Sequence, residues 1–267
     1  MAVELEFENK PKLVTAITDS MVMIRRSSTH IVRNTDQLLG TFFQPIMFLV
    51  LFSAVYSGAI ETGGEESYTN FLMAGLIVQT LAFGSTTTAQ AVANDLQRGI
   101  VDRFRSLPMN NLAVLNGHVV SDVFRNMISA AVLIVAGFVI GFRPNADLAD
   151  WGLLIGLTIL LTLSFSWLSA ILGIVAKSVE GVQWLSFVVV FPLTFASSAF
   201  VNPELMSSWL RGFAENQPIT HIVDTYRALL LGRPLDDSWW IATLWLVVII
   251  VVSMPVAAWL FKRKTSE

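Results

Sequence analysis

Five long stretches of this sequence contain no Asp, Glu, Lys or Arg: 37–60, 67–94, 151–176, 181–203 and 238–261. Each can supply the roughly 20 apolar residues that cross about 30 Å of hydrocarbon as a helix. Charged residues make up only 14% of the chain, whereas a soluble domain carries about 25%. These windows therefore predict an all-α, polytopic membrane protein.

A sixth span is partly hidden by two charged residues. The charge-free window at 126–142 is about 26 Å long as a helix, slightly too short to cross the bilayer. Extending the window back to Asp122 completes the span and places Asp122 and Arg125 at a membrane surface. There they would form an ion pair or contact lipid headgroups, the alternative being a role in gating. We expect the span at 122–142, with the helix continuing out of the bilayer to about Leu112.

Six spans would put both termini on one side of the membrane, and basic residues favour the cytoplasm. Cytoplasmic loops are enriched in Lys and Arg. The face with the termini carries Lys10, Lys12, Arg25, Arg26, Arg33, Arg98, Arg103, Arg105, Lys177, Lys262, Arg263 and Lys264, and the other face carries Arg143, Arg211, Arg227 and Arg233. We therefore divide the chain into a cytoplasmic N-terminus at 1–36, a transmembrane domain at 37–261 and a cytoplasmic tail at 262–267.

A short charged segment, "NDLQRGIVDRFRSLPMN" at 94–110, separates two apolar stretches. Its apolar residues fall on one side of a helical wheel and its charged residues on the other, which predicts an amphipathic helix at 95–107. Asn94 suits its N-cap and Pro108 its stop. The pattern alone leaves two interpretations open: a helix resting in lipid headgroups, or one inserted into a groove on a partner protein.

Three motifs carry a family resemblance: "DRFRSLPMNNLAVLNG", "GFRP" at 141–144 and "ENQPITHIVDTYRALLLGRP" at 215–234. They resemble the permease subunits of type-2 ATP-binding-cassette exporters, particularly the daunorubicin-resistance subfamily. The resemblance implies a multi-pass protein of the bacterial plasma membrane that forms a homodimer or heterodimer. It also implies that the helix at 95–107 is a coupling helix on a cytoplasmic ATPase, with contacts from Asp95, Arg98, Asp102, Arg103, Phe104 and Arg105.

Two further amphipathic regions fit that architecture. Residues 12–33 include apolar side chains at helical spacing, which predicts an amphipathic helix at the membrane interface. Its Arg25, Arg26 and Arg33 would reach lipid phosphates or a partner. At 203–232, two apolar stripes predict two short helices, with Pro203 and Pro218 at first positions and Gly232 at the stop. We expect a re-entrant hairpin in the outer leaflet, the alternative being an extracellular hairpin packed on the spans.

Aromatic residues on the fifth span suggest a transport path. Phe187, Phe191 and Phe195 recur near helical spacing, and related permeases form a path between the second and fifth spans of two subunits. With Gln79 and Phe83 on the second span, they are candidate path residues for an apolar cargo, although core packing or lipid contact is the default interpretation. The glycine pairs at 137/141 and 152/156 are candidate close contacts between the third and fourth spans.

Most catalytic and metal chemistry finds no support in the sequence. There is no cysteine, and "GIVAKS", which ends at Ser178, lacks the glycines of a phosphate-binding loop. His30, His118 and His221 fall in separate segments, so no metal site or intramembrane hydrolase is predicted. The acidic first ten residues predict no cleaved signal peptide, and the net charge of -3 does not suggest nucleic acid.

These observations predict a transport subunit without enzymatic activity or a cofactor of its own. It would export a hydrophobic or amphipathic compound, a drug, antibiotic or lipid, and contact membrane lipid directly. ATP and Mg²⁺ would bind to the separate ATPase. The alternatives are an ion-coupled secondary transporter, which would normally need ionisable groups at mid-membrane, and a membrane scaffold that transports nothing.

Overall fold

The computed structural model describes residues 35–56, 67–99 and 112–264. Every regular element in these ranges is helical. The helices are α1 Thr35–Tyr56, α2 Tyr68–Gly84, α3 Thr86–Gln97, α4 Leu112–Ile140, α5 Leu148–Val175, α6 Val179–Phe195, a 3₁₀ turn at Pro203–Leu205, α7 Ser208–Asn216, α8 Pro218–Leu230 and α9 Ser238–Lys264. The all-α prediction is confirmed for the described residues.

Four helical stretches are long and apolar enough to cross a membrane. They are Tyr68–Gln97, formed by α2 and α3 together, Ala113–Ile140 in α4, Leu148–Val175 and Ser238–Lys264. These match the second, third, fourth and sixth predicted spans, and α4 is helical from Leu112, the first described residue after 99, so the helix does extend beyond Asp122. The first and fifth predicted spans correspond to shorter apolar helical stretches, Phe43–Val55 and Val179–Phe195.

The fifth span's helix ends at Phe195, well before the end of its charge-free window at 203. The side-chain amide of Gln217 donates to the carbonyls of Leu193 and Ala196, at 2.8 and 2.6 Å. Carbonyls at a helix end have no partner within the helix and need one from elsewhere. Residues 196–202 then run without helical structure to the 3₁₀ turn.

The second span is the central element of the core. In its membrane-spanning window 78% of the residues are buried within the protein, against 22% in α9. Helix α2 packs against α1, α4, α5, α6 and α8. In contrast, α9 presents large apolar side chains such as Trp245 and Val251 on its outer surface. An exposed apolar surface of this kind is typical of a span at the outside of a helical bundle.

Two glycines allow helices and backbone to approach closely. A methyl group at Gly75 of α2 would overlap the backbone of Ala199, and one at Gly173 of α5 would overlap the backbone of Ala89 on α3. The predicted glycine contact between the third and fourth spans is wrong. Nothing lies within 4 Å of a methyl group built on Gly152 or Gly156, and Gly137 packs against Met73 of α2 and Phe142.

The hairpin at 203–232 combines one buried and one exposed helix. Pro218 begins α8, as predicted, and Pro203 begins the 3₁₀ turn. The apolar stripe of α8 lies in the core, where Ile219 and Ile222 are fully buried. The stripe near α7 remains on the surface, with Leu205, Trp209 and Phe213 being 65%, 80% and 48% exposed.

We expect Gly75→Val to destabilise the protein, because the added side chain would overlap the Ala199 backbone. Overpacking of this kind costs about 1–3 kcal/mol. Gly152→Val is the matched control, since it adds the same atoms to a position with open space. Thermal unfolding in detergent should show a lower midpoint for Gly75→Val alone. Equal midpoints for the two variants would contradict this packing.

Candidate transport site and coupling region

Stacked phenylalanines form a continuous ladder that begins on α6. The rings of Phe187 and Phe191 have centroids 4.7 Å apart, and those of Phe191 and Phe195 are 4.2 Å apart. The ladder continues to Phe200, at 4.9 Å, and to Phe52 of α1, at 5.2 Å. The three α6 rings are neighbours because residues four apart share one face of a helix.

One end of this aromatic ladder is open and the other is buried. Phe187 and Phe191 are 46% and 36% exposed, whereas Phe200 is only 6% exposed. The buried end is therefore core packing between α1 and the segment after α6. The open end presents aromatic faces that could stack on a flat apolar molecule.

The second-span residues predicted to share this path are less open. Helix α2 contacts α6, but the side chain of Gln79 is buried, with 5% exposed, and Phe83 is half-buried. In this conformation Gln79 therefore offers almost no surface to a cargo. Its role, like that of the three α6 phenylalanines, stays a prediction.

The predicted coupling helix at 95–107 falls mostly outside the described residues. Asp102, Arg103, Phe104 and Arg105 lie there, as do Arg25, Arg26 and Arg33 of the predicted interfacial helix. Asn94 as an N-cap is wrong, because it lies inside α3 and its carbonyl accepts the amide of Arg98. Helix α3 continues through Asp95 to Gln97, and Gly99 follows with φ of 63°.

Asp95 pairs with a histidine inside the permease. Its carboxylate lies 2.9 Å from Nε2 of His118 on α4, and the two side chains are 10% and 12% exposed. The pair joins the last turn of α3 to the first part of α4, next to both ends of the segment that connects these two helices. Sequence reasoning missed His118, because only the fold brings it beside Asp95. Arg98, in contrast, is exposed.

The turn between α5 and α6 lies beside the same end of α3. The side-chain amide of Gln97 donates to the carbonyl of Lys177, at 3.3 Å. The ammonium of Lys264, at the end of α9, donates to the carbonyl of Ile174. The ends of α3, α5 and α9 and the start of α6 therefore meet on the face where the coupling helix is predicted.

Asp122 and Arg125 form an ion pair on α4, as one predicted interpretation had it. They do not contact headgroups, because both are buried between helices, with 1% and 7% exposed. Ser166 of α5 donates to the Asp122 carboxylate. Arg125 also donates from Nη2 to the carbonyl of Gly84, at 3.0 Å, and so reaches the end of α2.

A second arginine holds the other end of α2. Arg227 of α8 donates to Asp224, at 2.7 Å, and to the carbonyl of Ser198, at 2.6 Å. It also donates to the carbonyl of Phe71, and its guanidinium lies 3.9 Å from the centroid of the Phe71 ring. Sequence reasoning missed this role, although Asp224 and Arg227 stand three residues apart on an apolar helix, which is a usable signal.

The described residues contain no group of three or more His, Asp or Glu side chains that could hold a metal ion. The residues described in this section are stacked aromatic rings, the buried ion pair Asp122–Arg125 and the partly exposed pair Asp224–Arg227.

Comparisons of the sequence with known proteins find membrane transport permeases. The sequence profile of a family described as "ABC-2 type transporter" matches residues 18–231. A daunorubicin resistance ABC transporter permease of Streptomyces coeruleorubidus is 30% identical over 263 residues, which cover 97% of this chain and 91% of the relative. A protein of Mycobacterium tuberculosis, named a probable doxorubicin resistance ABC transporter permease, is 24% identical over 94% of this chain and 90% of its own length. The inner membrane transport permease YadH of Escherichia coli K12 is 22% identical over 82% of this chain and 86% of its own length.

We expect Arg227→Lys to destabilise the protein, because a lysine cannot keep the contacts to Phe71, Ser198 and Asp224 together. Each lost hydrogen bond to a charged group costs about 1.5–3 kcal/mol. Arg211→Lys is the matched control, since Arg211 makes only an exposed pair with Glu215 on α7, and such pairs contribute little. Thermal unfolding in detergent should separate the two variants. An unchanged midpoint for Arg227→Lys would contradict a stabilising role for the contacts of Arg227.

Proposed function

The chain belongs to the ABC-2 type transporter family, and we propose that it is the transmembrane subunit of an ATP-driven drug exporter. Two relatives that cover more than 90% of this chain are named as daunorubicin and doxorubicin resistance permeases. We propose a hydrophobic or amphipathic aromatic compound as cargo, taken from the cytoplasm or the inner leaflet. The observation that carries this choice is the open end of the aromatic ladder at Phe187 and Phe191.

The proposed topology has six spans with both termini in the cytoplasm of a bacterial cell. Tryptophans support the placement of α9, because Trp239 and Trp259 lie about 30 Å apart along it, at 1.5 Å per residue. That distance matches the hydrocarbon thickness, and tryptophan is enriched at both membrane surfaces. Lys262, Arg263 and Lys264 follow at the end we place inside.

We place α7 and α8 at the outer surface as the re-entrant hairpin. The exposed stripe of Leu205, Trp209 and Phe213 would contact outer-leaflet lipid, while the buried α8 holds the hairpin on α2. A purely aqueous surface would leave three large apolar side chains in water. This supports the re-entrant interpretation over an ordinary extracellular hairpin.

The energy would come from a cytoplasmic ATPase that binds ATP and Mg²⁺. We propose that it docks on the coupling helix through Asp102, Arg103, Phe104 and Arg105. Asp95 takes a different part in this proposal, because its carboxylate already faces His118 inside the permease. It would hold the base of the coupling helix, with Arg98 at the exposed start. A second permease copy, identical or not, would complete the path.

Two substitutions test the docking contact. Phe104→Ala removes an apolar anchor and Arg105→Glu reverses a charge, so we expect both to reduce co-purification of the ATPase and transport per ATP hydrolysed. A buried phenylalanine truncated to alanine costs about 3–5 kcal/mol. Lys262→Glu is the control, since it reverses a cytoplasmic charge outside the coupling helix. Full ATPase binding and transport in both variants would mean that the helix rests on lipid instead.

Cargo selectivity tests the aromatic ladder. We expect Phe191→Ala to change the relative export of aromatic and aliphatic cargoes, because it removes an open ring from the stack. Phe124→Ala is the matched control: Phe124 is 59% exposed on α4 and contributes to no described stack. Drug uptake into inverted vesicles measures both. An identical cargo profile for Phe191→Ala and the native protein would favour core packing.

A further inference from the structure

The second span is interrupted at Ser85, between α2 and α3. Three consecutive hydroxyl side chains donate to backbone carbonyls three or four residues earlier: Ser85 to Leu81, Thr86 to Phe83 and Thr87 to Gly84. Such bonds compete with the helix's own hydrogen bonds and favour bending. We call residues 84–88 the junction.

The ion pair on α4 holds the junction from the side. Arg125 donates to the carbonyl of Gly84, so this carbonyl accepts from both Arg125 and Thr87. The Asp122 carboxylate lies 3.3 Å from the hydroxyl of Thr87 and accepts a hydrogen bond from Ser166 of α5. One ion pair therefore connects α2, α3, α4 and α5 at a single level.

Stability alone is a weak reason to keep this pair. Removing two charges from water costs several kcal/mol per ion, and well-packed apolar residues often replace a buried ion pair without loss of stability. A pair that also bonds the backbone of a neighbouring helix does something that apolar residues cannot do. It fixes the position of the junction relative to α4.

A second possible hydrogen-bond donor to the junction, Asn126 of α4, lies next to Gly84. Asn126 is fully buried, and neither its amide oxygen nor its amide nitrogen has a hydrogen-bond partner. Its oxygen lies so close to Gly84 that a methyl group there would overlap it. Buried polar groups without partners are costly. A small shift of the junction would let the Asn126 amide donate to the Gly84 carbonyl in place of Arg125.

The two sides of the junction lead to the two ends of the proposed function. On one side, α3 leads to the coupling helix and packs closely on the neighbouring helices, with Ala89 against Gly173 of α5 and Ala93 in one apolar cluster with Val182 of α6. On the other side, α2 contacts the helix that carries the aromatic ladder. The junction is the point where the chain that leads from the coupling helix continues directly into α2.

We propose that Asp122 and Arg125 are positioning residues that hold the junction in one of two arrangements, with Asn126 as the partner of the other. The exchange transmits movement of the coupling helix to α2. This inference rests on the proposed function, because it needs an ATPase that moves the coupling helix.

Two buried serines of α5 provide a matched pair of variants. Both are fully buried, but Ser166 donates to Asp122, whereas Ser164 donates to the carbonyls of Leu160 and Leu246. We expect Ser166→Ala to lower transport per ATP hydrolysed by about tenfold, the effect of one hydrogen bond to a charged group. Ser164→Ala should leave this ratio unchanged.

A second set of variants tests the exchange at Gly84. Gly84→Ala places a methyl group against the Asn126 oxygen, and we expect it to lower the same ratio. Adding Asn126→Ala should remove the steric overlap with the new methyl group. It should not restore transport per ATP hydrolysed, because the Asn126 amide can then no longer donate to the Gly84 carbonyl. Thermal unfolding of each variant shows whether it is folded. A double variant that recovers both stability and coupled transport would reduce Asn126 to a steric role and overturn the two-state proposal.

Transport by the native permease with its ATPase distinguishes failure of the proposed function from failure of the junction proposal. If the native permease neither binds an ATPase nor transports with ATP, the proposed function fails and the junction proposal fails with it. If the native complex transports normally and Ser166→Ala matches Ser164→Ala, only the junction proposal is overturned. A selective loss in Ser166→Ala, with ATPase binding and stability retained, supports it.

Discussion

Polar groups within apolar helices need partners from the protein, because lipid supplies none. The second span shows how this chain meets the requirement. Arg227 of α8 bonds the carbonyl of Phe71 near one end of α2, and Arg125 of α4 bonds the carbonyl of Gly84 at the other. Each arginine is paired with an acidic residue three positions earlier on its own helix. The most buried helix of the structure is therefore fixed at both ends by charges from its neighbours.

In the proposed function, the residues that bind cargo are separate from the residues that transmit movement. The open rings of Phe187 and Phe191 lie on α6, which contacts α2 on one side of the junction and α3 on the other. The end of α3 is joined to α4 through Asp95 and His118 and to the α5–α6 turn through Gln97. Movement of the predicted coupling helix would thus reach α4, α5 and α6 before it reaches α2. We propose that the aromatic ladder determines cargo specificity and that the polar contacts along the second span couple it to the ATPase.

The sequence predicted the helices better than their contacts. Charge-free windows reveal spans because hydrocarbon excludes charge, and four of the six windows correspond to helices long enough to cross a membrane. Side-chain direction is harder: Asn94 suited an N-cap, yet α3 continues past it, and the glycines at 152 and 156 face open space. The contacts of His118 and Arg227 depend on which helices become neighbours, and composition and periodicity do not reveal that; for Arg227 only the pairing with Asp224 could have been read from the spacing. Asp122 and Arg125 were recognised as a pair, but their link to Gly84 required the fold.

The central claim is that ATP hydrolysis by a partner drives cargo across the membrane through this permease. Inverted membrane vesicles that contain the permease and its ATPase test it most directly, with a fluorescent aromatic cargo outside. The account predicts that ATP drives accumulation of the cargo in the lumen, that a protonophore leaves the accumulation unchanged, and that vesicles without the permease show none. Accumulation that needs a proton gradient and proceeds without ATP would contradict the account and favour an ion-coupled transporter.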